Sequence, residues 1–159
     1  MTTETQTEPV TGALSEWVAT LPAEAIPSEV REAARWLILD HLACAIGGAT
    51  LTPARIMLEL AQEQGGQPQA TVYATGERTS VLQATYLNCA LSNLLDFDDS
   101  YPGAGHPGGT VVSAAINMAE YADRTLGVAI AGVVLGYEAS IRIGLALRPS
   151  PERYRQVAG

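Results

Sequence analysis

Four side chains that can take part in acid–base chemistry fall within 11 residues of this sequence: Asp96, Asp98, Asp99 and His106. The segments on either side are apolar and rich in small residues, a pattern that predicts buried helices. Ionised carboxylates are costly in apolar surroundings unless partners or a function hold them there. This cluster is therefore the first candidate for a functional site.

Three interpretations of the cluster stay open on the residues alone. In the first, the aspartates cap helices or pair with Arg, and His106 completes a turn. In the second, the cluster binds a metal ion; however, the run DFDD lacks the pattern and distal Glu of a calcium loop, and one His is a small ligand set for zinc, so we predict no metal. In the third, an imidazole and a nearby carboxylate carry out acid–base catalysis. The sequence contains no phosphate-binding glycine motif or nucleophile motif, and we predict no cofactor.

The elements that must position the cluster have the sequence pattern of helices. Apolar spacing and capping residues predict helices at about residues 11–21, 28–48, 52–64, 80–95, 110–121 and 126–147. Residues 70–74 alternate weakly and predict a short strand or extended segment. The predicted fold is therefore an all-α helical bundle with at most this one β-like piece.

Local details of these helices bear on the site. Asp96 is predicted to follow directly on the C-terminal end of helix 80–95, where the helix dipole disfavours an acid. Thr110 is predicted to cap the helix after the Gly- and Pro-rich loop 100–109. Gly132 and Gly136 are four residues apart and predict a close approach to another helix. His41 is predicted to be structural, with a backbone partner.

Composition bounds the class of protein. The 159 residues are enough for one domain, at 10–159, after a tail at 1–9 that we expect to be disordered and to carry no export signal. The formal charge is −8, and all nine cationic residues are Arg, so nucleic-acid and anionic-membrane partners are disfavoured.

Two further patterns point to a cytoplasmic protein. Cys44 and Cys89 have no CxxC spacing and are predicted to be reduced core residues. The most apolar run, 126–137, is interpreted as too short to span a bilayer.

The motif around the cluster resembles the MmgE/PrpD family. It reads N-x-A-x-x-x-x-L-D-F-D-D from Asn88, with ten residues from Asp96 to His106 and then H-P-G-G. Asp40-His41-Leu42 and Gly136-Tyr137-Glu138 agree with the family as well, and the resemblance extends over about residues 11–155. The family includes 2-methylcitrate dehydratases, cis-aconitate decarboxylases and an iminodisuccinate epimerase.

The resemblance implies metal-independent chemistry on a di- or tricarboxylate, bound between a helical domain and a smaller lid domain, and we expect the lid domain to be absent from this chain. Asp96, Ser100 and His106 match family active-site positions, and Ser100 replaces a more usual Thr. We therefore expect His106 and Asp96 to be catalytic. Ser100, Asp99, Asn93 and Tyr101 are expected to contact the substrate.

Two departures from the family pattern shape the functional expectation. Asn93 stands where the family usually has His, and the chain has none of the Lys residues that complete family sites. We expect a lyase subunit, a dehydratase or decarboxylase, that a second polypeptide or a homo-oligomer completes. The alternative is a degenerate or repurposed scaffold with a binding or structural role, or a different reaction.

Overall fold

A computed structural model describes residues 9–147 of the chain. It consists of helices α1 to α6, one short 3-10 helix and a two-stranded hairpin, so the prediction of an all-α fold with one β-like piece is confirmed. The predicted tail, apart from Pro9, and the part of the resemblance beyond Leu147 lie outside the described residues. The helices are α1 (Val10–Thr20), α2 (Ser28–Gly48), α3 (Thr52–Gln64), α4 (Val81–Asn93), α5 (Pro107–Tyr121) and α6 (Leu126–Leu147), the 3-10 helix is Ala23–Ala25, and the strands are β1 (Ala70–Thr71) and β2 (Arg78–Thr79).

The helix starts follow from local capping chemistry. The Ser80 hydroxyl accepts a hydrogen bond from the backbone N–H of Gln83 at 3.3 Å, as predicted for the cap of α4. The prediction that α5 starts at Thr110 is wrong, because the helix already begins at Pro107. Proline suits the first helical position, since its fixed φ matches a helix and its missing N–H would have no partner there. His106 is consequently the residue that leads into α5.

Helices α2, α4, α5 and α6 form the body of the fold, around two apolar clusters. One cluster joins α2, α3, α4 and the hairpin, and the other joins α2, α5 and α6. Gly136 of α6 lies against Val111 of α5, where an added Cβ would be only 2.5 Å from Val111 Cγ1, and Gly132 faces Ala115 in the same way at 3.4 Å. The close helix approach predicted from these two glycines is confirmed.

The hairpin is held to the helices by buried polar groups. Thr71 donates from its backbone N–H and its hydroxyl to the Glu120 carboxylate, at 2.8 and 2.6 Å. The Asn88 side chain accepts from the backbone N–H of Tyr73 at 3.0 Å and donates to the carbonyl of Thr71 at 2.9 Å. These bonds tie the short strand to α4 and α5. They also provide partners for polar groups that are buried or partly buried there.

His41 of α2 belongs to this buried polar region. It is 1% exposed, and its Nε2 lies 3.1 Å from the Ser113 hydroxyl of α5. Its partner is therefore a side chain instead of the predicted backbone group, and its Nδ1 has no hydrogen-bond partner. Burial lowers the pKa of His41 from 6.5 to about 4, which keeps the imidazole neutral at physiological pH.

The apolar run in α6 is longer than the sequence suggested. The helix spans 22 residues and is long and apolar enough to cross a membrane by length and composition, so the interpretation of this run as too short is wrong. Helices α2 and α3 also pass this test together, although they are bent by 92°. Core helices that meet the same criteria are mostly buried, whereas only 17% of the apolar window of α6 is buried, including Ala129, Ile130 and Val133.

Candidate active site

An open cleft of ≈ 460 Å³ lies among the elements that carry the cluster. It is lined by the end of α4, the loop after it, the start of α5 and one residue of α6. A second cavity, beside the hairpin, is smaller at ≈ 220 Å³ and lies away from the predicted cluster. Three of the six predicted site residues, Asn93, Asp96 and His106, line the larger cleft. Its lining is Cys89, Ala90, Asn93, Asp96, Asp98, Ala104, His106, Pro107, Gly109, Thr110 and Ser140.

Asp96 reaches the cleft from a left-handed turn. Helix α4 ends at Asn93, two residues earlier than predicted, and the backbone N–H of Asp96 donates to the Asn93 carbonyl at 3.0 Å. Asp96 has a φ of 54°, a conformation that Asp tolerates better than most residues. The side chain of Asp96 is exposed, so solvent screens its charge from the partial negative charge of the helix end.

Asp98 is the buried acid of the site. Its side chain is 2% exposed and lies with Oδ1 3.7 Å from Nδ1 of His106, whose side chain is 41% exposed. The Asn93 side-chain amide donates to both Asp98 oxygens, at 3.1 and 3.3 Å. Sequence reasoning placed Asp98 in the cluster without selecting it as a site residue, since nothing local distinguishes it from its neighbouring aspartates.

The charge of the cleft is acidic. No Arg or Lys is among its lining residues in the described part of the chain. One ligand atom each from Asp96, Asp98 and His106 lies within 4.8 Å of the others, close enough for a single cation to contact all three. The prediction of no metal stays a prediction. An anionic substrate would need positive charge from outside these lining residues.

Asp99 turns away from the cleft lining and toward α5 and α6. Its Oδ1 accepts a hydrogen bond from the Gly108 backbone N–H at 2.9 Å, and its Oδ2 accepts one from the Tyr137 hydroxyl at 2.9 Å. Burial raises the pKa of the Asp99 carboxyl, and the two hydrogen bonds oppose that rise. Burial and the charge of Asp99 likewise raise the pKa of Tyr137.

Ser100 and Tyr101 are exposed on the loop and do not line the cleft. Tyr101 begins a tight turn: its backbone N–H donates to the Gly105 carbonyl and its carbonyl accepts from Ala104, both at 2.9 Å. Gly103 and Gly105 have φ values of 87° and 76°, which glycine adopts without strain. The substrate contacts predicted for Ser100, Tyr101 and Asp99 stay predictions.

The lining contains polar side chains that were not predicted to be site residues. Thr110 and Ser140 contribute hydroxyls, and Ser140 comes from α6, far along the chain from the motif. Both cysteines are free, and Cys44 is buried as predicted, whereas Cys89 is half-buried and lines the cleft, so its prediction as a core residue is wrong. Burial, and to a lesser extent Asp98, raises the pKa of the Cys89 thiol.

Comparisons with known proteins give a family and two relatives. The model of the MmgE/PrpD N-terminal domain matches residues 12–158. Cis-aconitate decarboxylase of Aspergillus terreus is 27% identical over 144 residues, which cover 87% of this chain and 29% of the relative. A cis-aconitate decarboxylase of Aspergillus terreus strain NIH 2624 gives the same values. The chain thus spans 29% of the length of these curated relatives.

Proposed function

Since this chain belongs to the MmgE/PrpD family, we propose that it provides part of a lyase active site that acts on a di- or tricarboxylate by proton transfer. The observation that carries the proposal is the exposed His106 imidazole at the cleft, backed by the buried Asp98 and accompanied by Asp96. The named activity of the relatives, decarboxylation of cis-aconitate, belongs to the same chemical class.

His106 is the proposed proton-transfer group. Its Nδ1 faces Asp98 at 3.7 Å, so its Nε2 is the nitrogen available to the cleft. The 3.7 Å gap is longer than a hydrogen bond, so Asp98 acts on the ring as a nearby charge, and the Asn93 amide in turn holds that carboxylate in place. Asp96, exposed at the cleft, is placed for a second proton transfer or for orienting a substrate hydroxyl or water.

Among the cleft residues that the structure describes, none is Arg or Lys. Proton removal beside a carboxylate, or loss of CO2, builds negative charge that acidic walls would destabilise. We propose that a second polypeptide or another copy of this chain supplies cationic side chains over the cleft. Phe97, 77% exposed between Asp96 and Asp98, offers apolar surface for such contacts.

The test starts from the protein isolated from its source, with any stoichiometric partner identified by mass spectrometry. In the active assembly, His106→Gln should lower turnover of cis-aconitate or its hydrated relatives by about 10²-fold, the scale for losing a general acid or base. Glu63→Gln, an exposed change on α3, is the matched control and should leave turnover unchanged. Full activity of the His106→Gln assembly would refute the proposal.

A binding role without lyase turnover is the second candidate. It is favoured by Asn93, which stands where the resemblance calls for His and whose amide is committed to Asp98. Isothermal titration with cis-aconitate and citrate distinguishes the two roles. Saturable binding by an assembly that turns over neither compound would favour this second role.

A further inference from the structure

We propose that Asp99 and Tyr137 form a clamp that positions His106, so that Asp99 is a positioning residue and not a substrate ligand. The functional meaning of the clamp rests on the proposed role of His106. Its geometry rests on three groups from separate parts of the site: the Asp99 carboxylate, the Gly108 backbone N–H and the Tyr137 hydroxyl.

The first contact closes the loop that carries His106. Asp99 precedes this loop and Gly108 lies in the first turn of α5, nine residues later; Oδ1 and the backbone nitrogen are 2.9 Å apart. The first N–H groups of a helix have no partner within it, and a carboxylate at this end also interacts favourably with the helix dipole. The Asp99 carboxylate therefore fixes where α5 begins relative to the end of the DFDD run.

The second contact anchors the closed loop to the body of the fold. Tyr137 is on α6, 38 residues from Asp99 in the chain, and its hydroxyl donates to Oδ2 at 2.9 Å. Helix α6 supports the same loop again at Gly144, against which Ala104 lies so closely that an added Cβ would be 2.8 Å from its Cα. Loop and helix are thereby held together at two points.

Gly108 shows how tightly the clamp is built. A Cβ at this position would overlap Oδ1 of Asp99 and would lie 2.9 Å from the Tyr137 hydroxyl. Only glycine permits the carboxylate to approach the backbone N–H while it also accepts from Tyr137. The requirement for glycine thus comes from the clamp and not from backbone conformation, because Gly108 is within a helix.

The clamp determines the geometry of the proton-transfer pair. Asp98 adjoins Asp99, and His106 is two residues before Gly108, so each member of the pair is next to one end of the clamp. If the clamp opened, the 3.7 Å separation of His106 Nδ1 and Asp98 Oδ1 would no longer be fixed. Both Asp99 oxygens are engaged by protein donors, which leaves the carboxylate poorly placed to receive a substrate.

The experiment uses the fact that the chain has only two histidines, His41 and His106. Imidazole ¹H–¹⁵N correlation spectra of the full chain should show the His106 resonances displaced in Tyr137→Phe and in Asp99→Ala, while those of His41 stay in place. Asp99→Asn keeps an acceptor for the Gly108 N–H and should displace His106 less than Asp99→Ala does. Tyr121→Phe, at an exposed tyrosine on α5, is the matched control and should move neither histidine.

A second measurement addresses the contact with Gly108. Gly108→Ala should lower the melting temperature of the wild type and should have a much smaller effect in Asp99→Ala, because the carboxylate that lies nearest to the added Cβ is gone and the Tyr137 hydroxyl is free to move away from it. Unchanged His106 resonances in both folded Tyr137→Phe and Asp99→Ala, or an equal Gly108→Ala effect in both backgrounds, would overturn the clamp.

Ligand binding separates the clamp from the proposed function. With cis-aconitate as the probe, Asp99→Asn should keep the Kd within about 2-fold while turnover of the active assembly falls, as expected for a residue that positions a catalytic group. A Kd at least about tenfold weaker, with His106 resonances unmoved, would make Asp99 a substrate ligand and reject the clamp. Absence of binding and turnover in the wild-type assembly would reject the proposed function. The histidine spectra would still show whether Asp99 and Tyr137 position His106.

Discussion

The side-chain amide of Asn93 donates hydrogen bonds to both carboxylate oxygens of Asp98, at 3.1 and 3.3 Å. Asn93 is exposed at the end of α4, whereas Asp98 is buried, so an exposed neutral group holds a buried acid in place. Asp98 Oδ1 also lies 3.7 Å from His106 Nδ1, so the Asn93 amide helps to set the position of the carboxylate relative to the imidazole.

Removing this amide should destabilise the protein. Asn93→Ala leaves the buried Asp98 carboxylate with fewer donors, and we expect the free energy of unfolding to fall by about 1–3 kcal/mol. Urea denaturation at pH 7 measures the change, with the exposed Gln67→Ala as control and an expected effect within about 0.5 kcal/mol. Equal stability of the two variants would mean that Asp98 is held by other groups.

Protonation of His41 should make stability depend on pH. Its pKa is about 4 in the fold and 6.5 without the burial, so between these values the unfolded chain binds a proton that the folded chain does not. The stabilising contribution is complete above pH 6.5 and is lost as the pH falls; it should decrease by about 2 kcal/mol between pH 7 and pH 5.

The measurement is the difference in unfolding free energy between wild type and His41→Gln at several pH values. Other titrating groups contribute to both proteins and largely cancel in this difference. The wild type should lose stability faster than the variant as the pH falls from 7 to 5. Parallel curves would show that His41 is not held neutral by burial.

The contact between α5 and α6 should not accept a methyl group. Gly136→Ala places a Cβ 2.5 Å from Val111 Cγ1, and we expect a loss of about 1–3 kcal/mol from overpacking. Gly127→Ala is the control on the same helix, because only the Thr125 hydroxyl lies near its added Cβ, at 3.6 Å. The control should be neutral or slightly stabilising, since alanine favours helix more than glycine does. Thermal unfolding monitored at 222 nm compares them, and similar melting temperatures would contradict the close packing.

Cys89 offers a natural reporter of the cleft. Because burial raises the pKa of its thiol, alkylation by iodoacetamide at pH 7.5 should be slower than for a free thiol. Cis-aconitate bound in the cleft should slow the reaction further. Peptide mass spectrometry assigns the site, and Cys89→Ser, which leaves the buried Cys44, is the control. Alkylation at the free-thiol rate would show that the Cys89 thiol is open to solvent.

Local sequence patterns were enough to predict the helices and the location of the cluster. The structure agrees with the predictions for Ser80, Gly132 and Gly136. Ser80 caps a helix through a residue three positions along the chain, and the two glycines permit close packing because they have no side chain. The apolar spacing likewise predicted that the fold is helical. The ends of helices were less predictable: α5 starts at Pro107, since a proline and a threonine three residues apart both suit a helix start.

The contacts of each carboxylate depend on how the helices pack, and no local pattern predicts them. Asp96, Asp98 and Asp99 are chemically identical and nearly adjacent, yet the first is exposed in a left-handed turn, the second is buried behind His106 and the third is bonded to α5 and α6. The partner of Asp99, Tyr137, is 38 residues away, a separation over which no local pattern specifies contact. Side-chain direction in this loop follows from how α6 packs against α5, so the division of roles among the acids is a property of the assembled helices.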